Sequence, residues 1–298
     1  MDFEDLVSYL INSSIEYKLN VNTAEYVSFK VGGVGSVIAF PDTVQKLCNL
    51  IAYVNKKIKY FVLGCGTNCY FSSYYEGIII STKYLNKITV NNNKIIAECG
   101  ASLTRCAVYA YDNALTGIEF LYGIPGSVGG GVYMNASAFG GMISHVVSKC
   151  NVYNIENQKI ITLENSELNF DAKKSLFMDR KHLVLSAKFD LSFLDKKTIK
   201  EKMDLYLSKR CSSQPLDLPN AGSTFKRPQN GYASELIDRA GLKGFCAGGA
   251  QVSTKHAGFI VNNGNATSND VITLINTIKN TIKNKYNVDL EEEIIYVE

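Results

Sequence analysis

Residues 123–141, "GIPGSVGGGVYMNASAFGG", put seven glycines into nineteen positions. Side chains are dispensed with where something must come close to the main chain, so the stretch restricts what the chain can build and what it can hold. The familiar glycine-rich solutions are excluded. A phosphate loop needs a Lys-Ser/Thr pair after its last glycine, and here Gly131 is followed by Val132 and Tyr133. A dinucleotide fingerprint needs G-x-G-x-x-G between a strand and a helix, and neither this stretch nor "GGVGSV" (32–37) nor "GCGTNC" (64–69) provides it.

The 298 residues suffice for two or three domains with cores of their own. A hydrophobic fraction of 46% with 20% charged residues is that of a globular protein. A formal net charge of +3 argues against nucleic acid or a membrane surface as partner. The start, "MDFEDLVSYLINSS", is acidic, with Leu6, Leu10 and Ile11 at helical spacing and no basic leader, and no apolar run reaches the ~20 residues of a membrane span. A cytoplasmic location is expected, with all eight cysteines as free thiols. Cys65 and Cys69 have no second pair at zinc spacing, and three histidines exclude a His-rich centre.

Along the chain, "VIAFP" (37–41), "YFVLG" (60–64) and "GIIIST" (77–82) read as short strands. Val44, Leu47, Leu50, Ile51 and Val54 fall on one helical face. Residues 88–100 predict two strands about an Asn-rich turn, and 102–117 a helix. A further helix, 195–210, aligns Ile199, Met203, Tyr206 and Arg210, and residues 211–223 read as a loop. The last helix carries Val271, Leu274, Ile275, Ile278 and Ile282 behind a Thr267/Asp270 capping pair. The chain closes on the strand "LEEEIIYV", whose alternation puts Glu291 and Glu293 on the face of Ile295 and Val297. The class is α+β, with a boundary near 193.

Four clusters in order, "LGCGTNCYF" (63–71), the glycine stretch, "QPLDLPNAGSTFKRP" (214–228) and "AGLKGFCAGGAQVSTKHAGFIVN" (240–262), resemble the UDP-N-acetylmuramate dehydrogenase (UDP-N-acetylenolpyruvoylglucosamine reductase) family over nearly the whole chain. The absence of a long insertion before "GSTFKRP" is similar to its shorter, second type. The resemblance implies a non-Rossmann, two-lobed FAD-binding domain of the vanillyl-alcohol-oxidase/PCMH type and a C-terminal α+β substrate-binding domain. The expected division is an N-terminal helix and lead-in (1–25), the flavin domain (26–192, lobes about 26–85 and 86–192) and the substrate domain (193–298). FAD is the expected cofactor, NADPH the co-substrate and the enolpyruvyl ether of UDP-N-acetylglucosamine the substrate, on a monomeric protein.

The resemblance also implies site residues. Gly64, Cys65, Gly66, Thr67 and Asn68 form one half of a flavin cradle, and Gly126, Ser127, Gly129, Gly130, Asn135 and Ala136 the other, with backbone amides as donors. Gly131, where the family has Ala, is expected to loosen the cradle. Ser223 matches the proton donor and Glu293 the acid of the last strand. Lys173 occupies the place of an arginine, with Ala172 in place of the preceding tyrosine; it keeps the charge but not the guanidinium fork. Ile295 stands where an arginine is usual, and Ser137 and Phe139 replace a Gly and a Tyr. Arg210, Gln214, Lys226 and Arg227 are left to meet the diphosphate and carboxylate, Lys226 also favouring proton donation by Ser223, while His256 reads as structural. The alternatives are a homologue with weakened catalysis and a flavin oxidoreductase acting on another substrate.

Overall fold

The computed structural model describes residues 3–229 and 231–298, so the first two residues of the lead-in lie outside it. The chain divides into two compact units. The first holds the residues up to Lys18 together with Val37–Cys65 and Gly77–Arg210, and the second holds Leu19–Ser36, Gly66–Glu76 and Cys211–Glu298. The division differs from a single cut near 193. The helix Lys196–Ser213 buries Ile199 and Met203 in the first unit's core, and two early segments contribute Phe29, Val31 and Tyr70 to the core of the second.

In the first unit, a five-stranded antiparallel sheet runs in the order Lys159–Glu164, Val147–Asn154, His182–Asp190, Lys94–Glu98, Ile88–Asn91. Alternation decides its faces: Ile95 and Ala97 are buried while Ile96 between them is 42% exposed. The helices Val44–Val54 and Leu103–Asp112 are capped by the Thr43 and Ser102 hydroxyls. The second of these stops at Asp112, short of the expected 117, because Ala114 turns left-handed (φ 56°) ahead of the short strand Leu115–Thr116. In the first helix, Phe3–Asn12, Leu6 and Leu10 are buried but Ile11 is 59% exposed, off the core-facing stripe.

The glycine stretch is not all loop. Val128–Tyr133 forms a short helix, with the Ser127 hydroxyl accepting from the Gly130 amide at 3.3 Å. Three glycines cost about 1 kcal/mol each against alanine in a helix. A Cβ on Gly129 would lie 3.1 Å from the Cys99 carbonyl, and one on Gly131 would lie 2.8 Å from Ile143 Cδ1. Gly131 thus packs closely against the Ile143 and Leu103 side chains.

In the second unit, a four-stranded antiparallel sheet runs Asn220–Ser223, Phe259–Asn262, Ala250–Val252, Cys246–Ala247. The region read as a loop over 211–223 begins in the helix ending at Ser213 and ends in the first of these strands. The helix Ser268–Tyr286 buries Val271, Leu274, Ile275, Ile278 and Ile282, as its periodicity predicts. The closing strand is shorter than expected: only Ile295–Val297 is regular, paired in parallel with Cys69–Phe71. Its alternation fails too, since Leu290, Ile294 and Val297 are the buried residues.

Thr267 and Asp270 form a reciprocal capping box, 3.1 Å and 2.9 Å. The Thr267 bonds hold the Asp270 carboxyl below its ordinary value, so the contribution is complete at neutral pH and fades as acid protonates the group. Thr267→Ala is expected to cost about 1 kcal/mol at pH 7 in urea unfolding; an unchanged midpoint would show that the box adds nothing.

Candidate functional site

In the first unit the two glycine stretches meet. Gly64 follows the strand Tyr60–Leu63, and a Cβ there would lie 2.2 Å from Ser127 Oγ. The Gly126 carbonyl accepts from Leu103 N at 2.9 Å, and the Gly129 amide donates to the Cys99 carbonyl at 2.7 Å. The amides of Gly129 and Gly130 are thus used inside the protein, which corrects their expected role as ligand donors: in the first helical turn, Cys99 and the Ser127 cap satisfy them. Among the described residues, no acceptor meets the amides of Gly64 and Cys65 in this unit, nor those of Gly66 and Thr67, which belong to the second. Donors with no protein acceptor, beside a position that tolerates no Cβ, suit an anionic diphosphate.

The end of the glycine helix leads to Lys173. Asn135 is 1% exposed and left-handed (φ 43°). Its Nδ2 donates to the Asp171 carbonyl at 2.9 Å and its Oδ1 accepts from Ser144 N at 3.0 Å. Ala136 continues the segment, its amide donating to the Gly131 carbonyl at 2.8 Å. Lys173, half-buried with φ 54°, sits in the tight turn between Asp171 and Lys174. Arg210 belongs to this unit as well. It is 6% exposed, with its guanidinium 5.4 Å from the centre of the Phe139 ring, which stacks on Tyr206.

In the second unit, Ser223 and Glu293 lie on neighbouring segments. Ser223 is exposed at the end of its strand, after the left-handed Gly222 (φ 81°). The adjacent Thr224 is buried: its carbonyl accepts from Glu293 N at 2.8 Å and its hydroxyl from Ile260 N at 3.1 Å. The Glu293 carbonyl in turn accepts from Asn68 Nδ2 at 3.1 Å, and Ile295 N donates to the Asn68 carbonyl at 2.9 Å. Both backbone groups of Glu293 are therefore fixed. Gly66 (φ 65°) is buried where a Cβ would meet the Tyr26 carbonyl at 2.2 Å, with Thr67 half-buried after it.

The Lys226 ammonium pairs with the Glu291 carboxylate, and the two main chains are bonded at 2.8 Å. This pair is exposed enough to contribute little, ~0–1 kcal/mol, and to yield to a stronger anion. Arg227 is exposed, stacked 4.1 Å over the Tyr232 ring, and Gln214 is half-buried. His256 packs edge-on against Phe259 at 4.8 Å, and desolvation holds its pKa below the usual value.

A family model described as FAD binding domain matches residues 35–164, and one described as UDP-N-acetylenolpyruvoylglucosamine reductase, C-terminal domain, matches residues 214–297. The chain is 45% identical to the UDP-N-acetylenolpyruvoylglucosamine reductase of Caldanaerobacter subterraneus subsp. tengcongensis, over 93% of this chain and 92% of that one. The chain belongs to the UDP-N-acetylenolpyruvoylglucosamine reductase family. The reductase of the same name from Petrotoga mobilis is 42% identical over 97% of both chains. A crystal structure of the Thermus caldophilus reductase superposes with a TM-score of 0.81 at 27% identity, covering 95% of this chain and 99% of that one.

In this reductase family member the FAD-binding match encloses Gly64–Asn68 and Gly126–Ala136, and the C-terminal match encloses Ser223 and Glu293. The unpaired amides of Gly64 and Cys65 fit the flavin expectation. Sequence reasoning passed over Thr224, buried and hydrogen-bonded to the main chain, although "AGSTF" contained its signal as a hydroxyl beside the expected donor.

Two outcomes are expected. Gly64→Ala should weaken FAD binding at least about tenfold, ~1.4 kcal/mol, read by flavin titration; unaltered affinity would remove the loop from the flavin site. Iodoacetamide at pH 8 should label the exposed Cys211 and Cys246, and Cys65 more slowly because desolvation pushes its thiol pKa up. Burial pushes Cys69, Cys99, Cys106 and Cys150 up to about 12 and Cys48 to about 11, so they should react only after denaturation. Added FAD should slow labelling of Cys65 alone, and equal rates with and without FAD would count against the cradle.

Proposed function

We propose that this protein reduces the enolpyruvyl ether of UDP-N-acetylglucosamine to UDP-N-acetylmuramate with NADPH, a step in making peptidoglycan precursor. The observation that carries the reading is the near full-length 45% identity to a reductase of that name. The main-chain bonds that fix Glu293 beside Thr224, one residue from Ser223, support the assignment of roles. The reading includes action in the cytoplasm as a monomer; among the described residues, no helix is long and apolar enough to cross a membrane.

The chemistry that bound FAD supplies is the relay of a hydride from NADPH to the terminal vinyl carbon. Adding that hydride leaves an electron pair on the adjacent carbon, delocalised into the substrate carboxylate. The protein must stabilise this charge and deliver one proton. Ser223 donates the proton to the α-carbon. Glu293 is assigned to the enolate, and the Lys173 ammonium to the substrate carboxylate. NADPH, substrate and one proton thus give NADP⁺ and product. Lys226, released from Glu291, and Arg227, Gln214 and Arg210 are assigned to the diphosphate and carboxylate. Lysine in place of arginine gives up the two parallel bonds but keeps the charge, so activity is lowered rather than lost. Gly64, Cys65, Gly66 and Thr67 hold the flavin diphosphate through their amides, with Ser127 beneath Gly64.

Without oxygen, NADPH should bleach the yellow protein and the enolpyruvyl UDP-sugar should restore its colour; persistent bleaching would overturn the substrate assignment. Ser223→Ala should leave bleaching intact and slow recolouring ~10²–10⁴-fold. Equal loss of both half-reactions would remove Ser223 from its role.

A further inference from the structure

We propose that Asn135 is a positioning residue for Lys173, acting through the turn Asp171–Lys174, and not a flavin contact. The proposal rests on the reading of Lys173 as partner of the substrate carboxylate.

A buried asparagine offers two N–H donors and one carbonyl oxygen. Both ends of the Asn135 amide are already used inside the first unit. Nδ2 reaches the Asp171 carbonyl at 2.9 Å and approaches Met142 Sδ at 3.5 Å, and Oδ1 takes the Ser144 amide at 3.0 Å. The residue is left-handed (φ 43°), a conformation asparagine accepts more readily than other non-glycine residues. Its side chain therefore enters the interior at a sharp bend, and what it holds there is the base of another turn.

That turn is closed by Asp171 N to the Lys174 carbonyl at 3.0 Å and by Lys174 N to the Asp171 carbonyl at 3.1 Å. The Asp171 carboxylate adds a bond from Ala172 N at 2.7 Å. The Asp171 carbonyl thus accepts once from its own turn and once from Asn135, so the second bond attaches the turn to the glycine helix without being needed to form it. Ser175, 3% exposed, supplies a parallel link, with Oγ donating to the Tyr133 carbonyl at 2.7 Å. Tyr133 and Asn135 both stand at the end of the helix Val128–Tyr133. Two struts from one end of that helix thus fix the two sides of the turn that carries Lys173. A long, flexible ammonium can serve a fixed carboxylate only if its Cα is held, because placement errors of ~1 Å can cost on the order of 10²-fold in rate.

The test is a double-mutant cycle on the FAD-loaded full chain, with Asn135→Gly, which keeps the backbone conformation, Lys173→Ala, and the two combined. Three quantities are read: flavin content, the rates of bleaching by NADPH and of recolouring by the enolpyruvyl UDP-sugar, and the dissociation constant of that sugar with the oxidised protein by calorimetry. Asn135→Gly is expected to slow recolouring and weaken sugar binding, each about ten- to a hundredfold. Flavin content and bleaching should stay at wild-type values. In the Lys173→Ala background the same substitution should change both affected quantities less than about twofold, since the group it positions is gone. Additive losses, or loss of flavin from Asn135→Gly, would overturn the proposal. Should Asn135→Gly fail to fold, Ser175→Ala enters the cycle in its place, and additivity with Lys173→Ala overturns the proposal equally. If Lys173→Ala alone changes neither recolouring nor sugar binding, the role of Lys173 itself falls and the proposal with it, an outcome distinct from additivity.

Discussion

The 2.7 Å bond from the Gly129 amide to the Cys99 carbonyl brings two backbones so close that a Cβ on Gly129 would stand only 3.1 Å from that oxygen. The rest of the first unit's site depends on that approach. With the helix Val128–Tyr133 seated on the residues behind it, Ser127 comes under Gly64 at one end and Asn135 reaches the Lys173 turn at the other. The glycines that looked like a ligand cradle are to this extent the foundation of one. The helix spends its own amides on protein acceptors, and the unpaired donors belong to the other glycine loop. The cost of about 1 kcal/mol per helical glycine is the cost of that seating.

The second unit fixes its carboxylate by the same economy of means. Glu293 is placed by its main chain, its N–H donating to the Thr224 carbonyl and its C=O accepting from Asn68 Nδ2. Asn68 contributes twice, because its carbonyl also accepts from Ile295 N. The parallel strand pair Cys69–Phe71 and Ile295–Val297 continues that link, and it exists although the acidic segment before it is not regular strand.

What was legible in the sequence was periodic or punctuated. The helix 268–286 could be read to its cap because five apolar residues and a Thr-x-x-Asp pair agree. The strand at the C-terminus was misread because alternation was extended through three glutamates, whereas Leu290, Ile294 and Val297 turn inward at irregular spacing once tertiary bonds to Thr224 and Asn68 take over. The family motifs named the site residues, but not which of their atoms are occupied. That Gly129 is internally bonded to Cys99, and that Lys226 faces Glu291, depends on partners about 30 and 65 residues away along the chain, beyond any local pattern. Arg210 shows the same limit from another side: its place on a helical stripe was readable, but its packing on Phe139 was not.

Lys173 is the departure on which the chemistry turns, and its backbone shows why a change there can be borne. A left-handed lysine is not itself diagnostic, since Lys30 and Lys56 share the conformation at φ 56° and 62°. The difference lies in what surrounds the residue: a turn closed by two main-chain bonds and joined to the glycine helix on both sides, by Asn135 and by Ser175. None of those bonds involves the side chain at 173 or at 172. Replacing an arginine by a lysine, and a tyrosine by an alanine, therefore alters the side chain proposed to meet the substrate while the point of attachment is set elsewhere. The frame demands a residue that tolerates a positive φ, and the proposed reaction demands a cation. Lysine meets the second demand at a modest backbone strain that the two struts are placed to hold.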